Sequence, residues 1–356
     1  MKIAVLSGDG IGPEVMEEAT KVLSRVGEVY GHDFAFQEAL IGGAAYDRYG
    51  EHFPKSTKEI CENCDAILFG SVGGPVSEQR NEKWKNCERE ALLGLRKYFD
   101  FSINLRPVKV YESLKSDCVL RSDIVEKGID ILCVRELSQD VYFGDHQIFG
   151  NSPCRTAKDL MIYDEPTIEN IAHAAFRASE KRRKKVTSVD KANVLDCSKL
   201  WREVVERVAK EYPEVSFEHM LVDNCSMQVL RRPFDFDVLL MPNMFGDIIS
   251  DEVSVFAGSL GMLPSASLNS RGFGMYEPSG GSAPDIAGLE IANPIGMILS
   301  AALMLKYSFG LGKEHDALVK AVSQALEEGY RTKDIAGPHT FVSTTVMGDS
   351  ICKFIN

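Results

Sequence analysis

The sequence lacks long apolar runs and an excess of positive charge. No uninterrupted apolar stretch approaches the roughly 18 residues that a membrane-spanning helix needs. The N-terminus opens on KIAVLSGDG and lacks the charged-then-apolar layout of a signal peptide. Forty Lys and Arg stand against 52 Asp and Glu, which gives a formal net charge of −12, and an acidic surface repels nucleic acid and anionic membranes. We therefore expect no nucleic-acid or membrane partner, and an anionic substrate would need a local cluster of arginines.

The number of cysteines is odd, and the sequence has neither internal repeats nor a low-complexity linker. Nine cysteines in 356 residues make a disulfide framework unexpected, which is typical of the cytoplasm. The length predicts about two domains. Without a linker between them, we expect the two domains to share one continuous sheet or to exchange segments.

Strand-like apolar runs alternate with helical patterns along most of the chain. A helical period covers 14–26, and strand-like runs lie at 2–6, 65–69, 130–134, 186–189 and 237–241. Buried strands separated by helices are typical of α/β proteins, in which ligands bind beyond the carboxyl ends of the strands. We therefore predict an α/β fold with functional residues in the loops after these strands.

A glycine-rich loop, GDGIGP at 8–13, follows the first strand and precedes the first helix. A dinucleotide fingerprint needs the spacing G-x-G-x-x-G, whereas this loop reads G-x-G-x-G-P. The spacing argues against a standard Rossmann site and leaves two interpretations. The loop is either a tight turn with Pro13 at the helix start or a loop that lines a ligand.

Three arginines leave structured segments: Arg96 ends ALLGLR, Arg106 lies in NLRP and Arg135 follows DILCV. Guanidinium groups bind carboxylates through paired hydrogen bonds and stay charged when desolvated. Any one of them alone is more often a surface or ion-pair residue. As a set, they suit a di- or tricarboxylate.

Two aspartates, Asp247 and Asp251, are four residues apart in GDIISDE and share one face of a predicted helix. Like charges at this spacing destabilise an isolated helix. A bound divalent cation removes that repulsion, and carboxylate oxygens suit Mg²⁺ or Mn²⁺. Asp223, in LVDNC, is a candidate third ligand. The alternative is a pair of solvated aspartates near a helix start.

Two further residues are candidates for proton transfer. Lys191 lies just beyond an apolar strand, where desolvation favours the neutral amine of a general base. Tyr142, in VYFG, is a candidate proton donor. Each of them taken singly is more often structural.

The segment EPSGGSAPDIAG at 277–288 is rich in small residues, which let a backbone approach a flat ligand closely. Within it, Asp285 can accept hydrogen bonds from ribose hydroxyls and repel a 2′-phosphate. This composition is too specific for an incidental turn.

These motifs together resemble those of the β-decarboxylating dehydrogenases, the isocitrate/isopropylmalate dehydrogenase family. No single motif is specific, but the resemblance runs nearly end to end, through GDGIGPEV (8–15), GSVGGP (70–75), ALLGLRK (91–97), NLRP (104–107), VREL (134–137), YFG (142–144), DKANVL (190–195), VDN (222–224), NMFGDIISDE (243–252) and GGSAPDIAG (280–288). It implies an α/β fold, distinct from a standard Rossmann fold, in which two domains share a mixed sheet. The implied cofactor domain is 1–101 and 258–356, and the implied substrate, metal and dimerisation domain is 102–257.

The resemblance also implies roles for individual residues. Arg96, Arg106 and Arg135 would bind the substrate carboxylates, Tyr142 and Lys191 would transfer protons, and Asp223, Asp247 and Asp251 would hold Mg²⁺ or Mn²⁺, with Asp223 also at the substrate. In this family, the residues that match Lys191 and Asp223 come from the neighbouring subunit, so the site would be complete only in a homodimer. The residues implied for cofactor binding are Gly74, Glu88, Gly281, Ser282, Ala283, Pro284, Asp285, Ile286, Ala287, Gly288 and Asn293.

Substrate and cofactor choice follow from a few positions within this resemblance. Leu92 and Leu93, with Val194 from the partner, would offer an apolar surface. Burying an unpaired carboxylate of isocitrate there would cost on the order of several kcal/mol. We therefore expect the substrate to be 3-isopropylmalate, an intermediate of leucine biosynthesis. Asp285 and Ile286 stand where NADP-using relatives place a cationic and aromatic pair, which favours NAD.

The chain departs from the family pattern in two places. The stretch 76–91 differs from the usual GGPKW continuation, with the tryptophan displaced to Trp84, and this bears on Glu88. Leu289 and Glu290 replace a more common lysine-containing pair. Two alternatives stay open: a relative acting on malate, tartrate, homoisocitrate or isocitrate, and a non-catalytic regulatory subunit, which would have lost the proton-transfer or metal residues.

Overall fold

The computed structural model describes all residues from Met1 to Asn356, and they form two compact units. Unit 1 consists of Met1–Phe99, Val110–Ser122 and Ser254–Asn356. Unit 2 consists of Asp100–Lys109 and Asp123–Val253. The domain boundaries that the resemblance implies stay a prediction. They differ from the units mainly in the placement of 110–122.

The chain contains twelve strands and twelve α-helices. The strands are β1 (Lys2–Gly8), β2 (Ala35–Glu38), β3 (Ala66–Ser71), β4 (Ile103–Lys109), β5 (Asp130–Glu136), β6 (His146–Phe149), β7 (Thr156–Asp159), β8 (Lys185–Asp190), β9 (Ser216–Leu221), β10 (Val238–Met241), β11 (Pro264–Leu268) and β12 (Gly274–Pro278). The helices are α1 (Gly12–Tyr30), α2 (Gly43–Tyr49), α3 (Lys55–Glu62), α4 (Gly94–Tyr98), α5 (Ser122–Val125), α6 (Glu165–Glu180), α7 (Asp196–Ala209), α8 (Val222–Arg231), α9 (Asn243–Ser254), α10 (Ile295–Tyr307), α11 (Gly312–Glu327) and α12 (Thr344–Lys353). None of these helices has the length and apolarity needed to cross a membrane.

Five strands of unit 1 pair in the order β2-β1-β3-β12-β11. β1 runs parallel to β2 and β3, β12 runs parallel to β3, and β11 is antiparallel to β12. All residues of β3 are buried, and α10 is buried along most of its length, as is usual for parallel strands covered by helices. The strands predicted at 2–6 and 65–69 and the helix predicted at 14–26 are confirmed.

Five strands of unit 2 pair in the order β4-β5-β10-β8-β9. β5, β10, β8 and β9 run parallel, and β4 is antiparallel to β5. The strands predicted at 130–134, 186–189 and 237–241 are confirmed. Because parallel strands end at the same edge of a sheet, the segments that carry Arg135, Lys191, Asp223 and Asp247 all leave this edge.

Candidate active site

Five of the predicted residues meet in unit 2, and we call them the arginine–aspartate cluster: Arg106, Arg135, Tyr142, Asp247 and Asp251. Arg106 Nη1 donates to Asp251 Oδ1 at 3.0 Å, and its Nη2 lies 3.8 Å from Asp247 Oδ1. Arg135 donates to Asp247 through Nη1, and the Tyr142 hydroxyl donates to Asp247 Oδ2 at 2.5 Å. Asp247 and Asp251 both lie on α9, as predicted. Two guanidiniums, a phenol and two carboxylates are therefore in direct contact.

Amide side chains orient both arginines. Asn243 Oδ1 accepts from Nε and Nη2 of Arg135 at 3.0 and 2.8 Å, and Asn104 Oδ1 accepts from Arg106 Nε at 3.0 Å. At Gly246, a Cβ would lie 2.7 Å from Cγ of Arg135, so glycine is needed for this close approach. Sequence reasoning missed Asn104 and Asn243, although Asn243 opens the motif NMFGDIISDE.

The environment of Tyr142 suits a proton donor. Burial and then the hydrogen bond to Asp247 raise the pKa of the Tyr142 phenol above its usual value of 10.0. The hydroxyl therefore keeps its proton at neutral pH. It is held against a carboxylate that fixes its direction.

Lys191 and Asp223 form a separate pair in unit 2. Lys191 Nζ lies 2.5 Å from Asp223 Oδ1, and this hydrogen bond lowers the pKa of Asp223 below its usual value. The loop after β8 supplies Lys191, and the first turn of α8 supplies Asp223. Both side chains are partly exposed to solvent, at 28% and 58%.

The metal ligands predicted for this chain do not meet within one copy of it. No group of three or more His, Cys, Asp or Glu side chains is close enough to hold a metal ion. Asp247 and Asp251 provide carboxylate oxygens of the kind that Mg²⁺ and Mn²⁺ prefer, whereas Asp223 lies with Lys191. The donor chemistry thus fits a hard divalent cation, and the arrangement needs a third oxygen from outside the cluster.

Unit 1 contains a cavity of about 200 Å³ next to the predicted nucleotide loop. Four of the predicted cofactor residues line it: Gly281, Ala283, Ile286 and Asn293. The other seven do not: Gly74, Glu88, Ser282, Pro284, Asp285, Ala287 and Gly288. Gly280 and Gly281 have nothing within 4 Å of the position of an added Cβ, so the wall there is open. A mostly apolar slot with few polar groups fits the base of a nucleotide.

One polar residue of this cavity has no sequence signal. Asp334 lines it and accepts a hydrogen bond from Asn293 Nδ2 at 3.0 Å. Asp285 is exposed on the same loop as Ile286. The loop and Asp334 are separated in sequence, and folding brings them together.

The glycine loop 8–13 carries a buried carboxylate, Asp9, which is bound by backbone amides of other segments. This side chain is buried, and it accepts from three backbone amides: Gly43 and Ala44 at 2.8 and 2.9 Å, and Gly73 at 3.1 Å. Backbone amides of this kind bind phosphate in fingerprint loops. Here the amides belong to the segments around Gly43 and Gly73, and the Asp9 carboxylate occupies them.

The same loop is joined to the nucleotide loop by a short backbone contact. Ile11 N donates to Ser282 O at 2.8 Å, and a Cβ at Gly10 would lie 1.9 Å from that oxygen. Ile11 also lines the cavity. The loop is therefore a tight turn that also forms part of the wall.

Arg96 is paired inside unit 1. Its Nη2 donates to Glu277 Oε1 on β12 at 2.8 Å, and both side chains are almost fully buried. The Nε of Arg96 is buried and has no hydrogen-bond partner. An unsatisfied buried N–H is costly, so the Arg96–Glu277 pair leaves part of the guanidinium's hydrogen-bonding capacity unused.

The atypical stretch 76–91 packs on two glycines of unit 1. The Trp84 ring lies so close to Gly43 and Gly74 that a Cβ at either would come within 2.2 Å of it. Glu88 Oε1 lies 3.0 Å from the position of a Cβ at Gly73. Leu92 follows in a π-helical turn, Arg89–Leu93, a feature found frequently at functional sites.

The whole chain matches one family. The sequence model of the family described as isocitrate/isopropylmalate dehydrogenase matches residues 2–351 of this chain. A crystal structure of isocitrate dehydrogenase from Methylococcus capsulatus aligns with a TM-score of 0.88 and 30% identity, covering 99% of each chain. The chain belongs to the isocitrate/isopropylmalate dehydrogenase family, and the predicted family and α/β fold with a mixed sheet are confirmed.

Within this family, the chain is similar to proteins named 3-isopropylmalate dehydrogenase. It is 54% identical over 360 residues to that of Haemophilus influenzae, covering 99% of each chain. It is 52% identical over 360 residues to that of Yersinia pestis, covering 99% of this chain and 97% of the relative. The prediction of an oxidoreductase is confirmed, and such a dehydrogenase needs a nucleotide cofactor and a divalent metal.

Proposed function

We propose that the chain is an NAD-dependent enzyme that oxidises and decarboxylates (2R,3S)-3-isopropylmalate to 4-methyl-2-oxopentanoate and CO₂, a step of leucine biosynthesis. The observation that carries this proposal is the arginine–aspartate cluster. Its two guanidiniums are oriented by amides, and they lie against two carboxylates and a protonated phenol. The cluster therefore combines groups that would bind an anionic substrate, bind a divalent cation and donate a proton.

The substrate is proposed from the charge and apolarity of the site residues. Arg106 and Arg135 would bind carboxylates of the malate portion, and Arg96 would add a third guanidinium. Leu92, half-buried on the π-helical turn, would contact the isopropyl group. Val194 is 65% exposed, and from the partner subunit it would complete this apolar surface.

The residues divide the chemistry between them. Lys191 would accept the C2 hydroxyl proton at Nζ, directly or through a relay, as C2 is oxidised to the carbonyl. The resulting 2-keto acid carries a carboxylate β to the carbonyl, so its C–C bond breaks and CO₂ leaves. Tyr142 would then protonate the carbon that lost CO₂. When bound, NAD⁺ supplies the hydride acceptor, and Mg²⁺ or Mn²⁺ supplies a Lewis acid for the developing oxyanion.

NAD and a divalent metal are proposed from the donor groups. Asp285 is exposed beside the cavity of unit 1, where its charge would accept from ribose hydroxyls and repel a 2′-phosphate. Asp247 and Asp251 would hold Mg²⁺ or Mn²⁺. Asp223 of a second subunit would provide the third oxygen.

We propose a homodimer with shared active sites. Lys191 and Asp223 pair with each other and do not join the arginine–aspartate cluster of their own chain. Large apolar side chains are exposed on α8 and α9, among them Met227 at 55% and Ile248 at 59%. An apolar surface of this kind is typical of a subunit interface. All nine cysteines are free thiols, which supports a cytoplasmic location.

The first experiment is NADH formation by the purified protein with Mg²⁺. We would assay 3-isopropylmalate, isocitrate, malate and tartrate, each with NAD⁺ and with NADP⁺. We expect a strong preference for 3-isopropylmalate and NAD⁺. Turnover mainly with another acid would contradict the role of Leu92, and the absence of any turnover would favour a regulatory subunit.

A heterodimer tests the sharing of sites. One subunit carries Tyr142→Phe and the other carries Lys191→Ala. If each subunit supplies its lysine to the site of its partner, one site of the heterodimer keeps both Tyr142 and Lys191, and the other site lacks both. We expect each variant homodimer to be nearly inactive and the heterodimer to recover up to about half of the wild-type activity. An inactive heterodimer would contradict the exchange of Lys191 between subunits.

A further inference from the structure

The loop that carries Lys191 is held by an ion pair between a buried aspartate and an arginine whose side chain is 34% exposed. Asp190, the last residue of β8, has no exposed surface. Its carboxylate accepts from Nε and Nη2 of Arg202 on α7 at 2.6 and 3.0 Å. It also accepts from the backbone amide of Ala192 at 2.8 Å. Because a two-pronged guanidinium bond fixes direction as well as distance, the backbone on both sides of Lys191 is fixed.

The same helix supports Lys191 a second time. The backbone amide of Lys191 donates to Ser198 Oγ at 3.0 Å. Ser198 and Arg202 lie four residues apart on one face of α7. The Lys191 carbonyl accepts from the amides of Val194 and Leu195, both at 2.9 Å. The turn is therefore rigid, while the Lys191 side chain and Val194 remain accessible.

Arg202 is the cation that balances Asp190. His219, on β9, lies 3.7 Å from the Asp190 carboxylate. Burial lowers the pKa of His219 below its usual value of 6.5, so that its ring is neutral at pH 7. Removing Arg202 would leave His219 as the nearest group to the Asp190 carboxylate, and it would also remove a charge that helps to lower the pKa of that ring.

We propose that Asp190, Arg202 and Ser198 are positioning residues that fix Lys191 for proton transfer, and that they do so for the active site of the partner subunit. This inference rests on the proposed function. A lysine that enters the site of another subunit is still carried by a turn of its own subunit. The Asp190–Arg202 pair and Ser198 hold the backbone of that turn, from which the Lys191 side chain extends.

Arg202→Met tests the proposal in the homodimer. We expect kcat to fall about 10- to 100-fold, since a displacement near 1 Å has an effect of this size, while both KM values change less than about threefold. Arg202→Lys should recover part of kcat, because an ammonium can still donate to Asp190. The control is Arg207→Met, which removes an arginine of the same helix that pairs with Glu165 and Glu169 at the surface. It should leave kcat unchanged.

A second variant covers a failure to fold. The double variant Asp190→Asn/Arg202→Met removes both charges and keeps an oxygen that accepts from Ala192, so no buried charge is left unpaired. We expect it to fold and to have a kcat about tenfold below wild type. Wild-type kcat in this variant, or in a folded Arg202→Met enzyme, would overturn the proposal.

The heterodimer shows on which site the ion pair acts. Its working site uses the lysine of the Tyr142→Phe subunit. Arg202→Met in that subunit should lower kcat as it does in the homodimer, whereas Arg202→Met in the Lys191→Ala subunit should not. Equal losses in both placements would indicate a general effect on stability and overturn the proposal. If the parent heterodimer is inactive, the shared site of the proposed function fails, and the kcat and KM values of the homodimer variants still decide whether Lys191 is positioned.

Discussion

Replacing Glu277 by methionine tests how Arg96 is held in unit 1. The side chains of Arg96 and Glu277 are 8% and 9% exposed, and their oxygen–nitrogen distance is 2.8 Å. Water therefore compensates little for the loss of either partner. Removing one partner of a buried pair typically costs about 3–5 kcal/mol. We expect Glu277→Met to lower the free energy of unfolding by about this amount, because Arg96 Nε already has no acceptor.

The assay is urea unfolding at a fixed protein concentration, since a dimer's stability depends on concentration. The double variant Arg96→Met/Glu277→Met should recover most of the loss, because no charge is left unpaired. Glu59→Gln is the control, since its pair with Lys55 is 57% and 88% exposed and exposed pairs contribute little. A Glu277→Met protein as stable as wild type would refute the reasoning.

The same variant has a ligand-dependent signature. With Glu277 gone, a bound substrate carboxylate would be the strongest partner left for Arg96. Saturating 3-isopropylmalate should therefore raise the urea midpoint of Glu277→Met more than that of wild type. An equal or smaller rise would mean that Arg96 does not bind the substrate.

Three further predictions concern protonation and reactivity. Tyr142→Phe should lower kcat about 100-fold or more, the usual effect of losing a general acid, with KM for the substrate little changed in steady-state assays; a kcat near wild type would exclude Tyr142 as the donor. Because the folded state keeps the pKa of His219 below 6.5, the unfolded chain binds a proton that the folded chain does not, so stability falls as the pH decreases from about 7. The variant His219→Gln should lose less stability between about pH 7.5 and 5.5 in urea titrations, and an equal loss would contradict the assignment. Five of the nine thiols are buried, and burial raises the pKa of four of these to about 12. A thiol reagent should therefore modify at most four thiols in the native protein and all nine in denaturant. Modification of more than four thiols in the native protein would contradict the burial. The five buried thiols are Cys61, Cys64, Cys87, Cys133 and Cys225.

Local patterns predicted the elements that carry the site. Apolar runs gave the strands β1, β3, β5, β8 and β10, because a strand covered by helices must be apolar along its length. The four-residue spacing of Asp247 and Asp251 placed both on one helix, and Arg106 and Arg135 reach that helix from β4 and β5. Spacing along a helix is a local property, so it can be read from sequence.

Contacts between distant segments could not be read in this way. Arg96 and Glu277 are 181 residues apart, and Asp9 binds amides 34 to 64 residues further along the chain. Neither periodicity nor a motif signals such a pairing, since it depends on which elements pack together. Asp334 reaches the cavity for the same reason, and a single sequence gives no sign of it.

The buried carboxylate of Asp9 has a consequence for how the loops around it are ordered. A phosphate that ordered these amides could dissociate and leave the loops loose, whereas Asp9 is tethered to the chain and stays. The amides of Gly43, Ala44 and Gly73 are therefore fixed before any ligand arrives. Binding then does not have to offset the entropy of ordering them. The glycine loop 8–13 is thereby tied to the segments around Gly43 and Gly73 by a side chain of the protein itself.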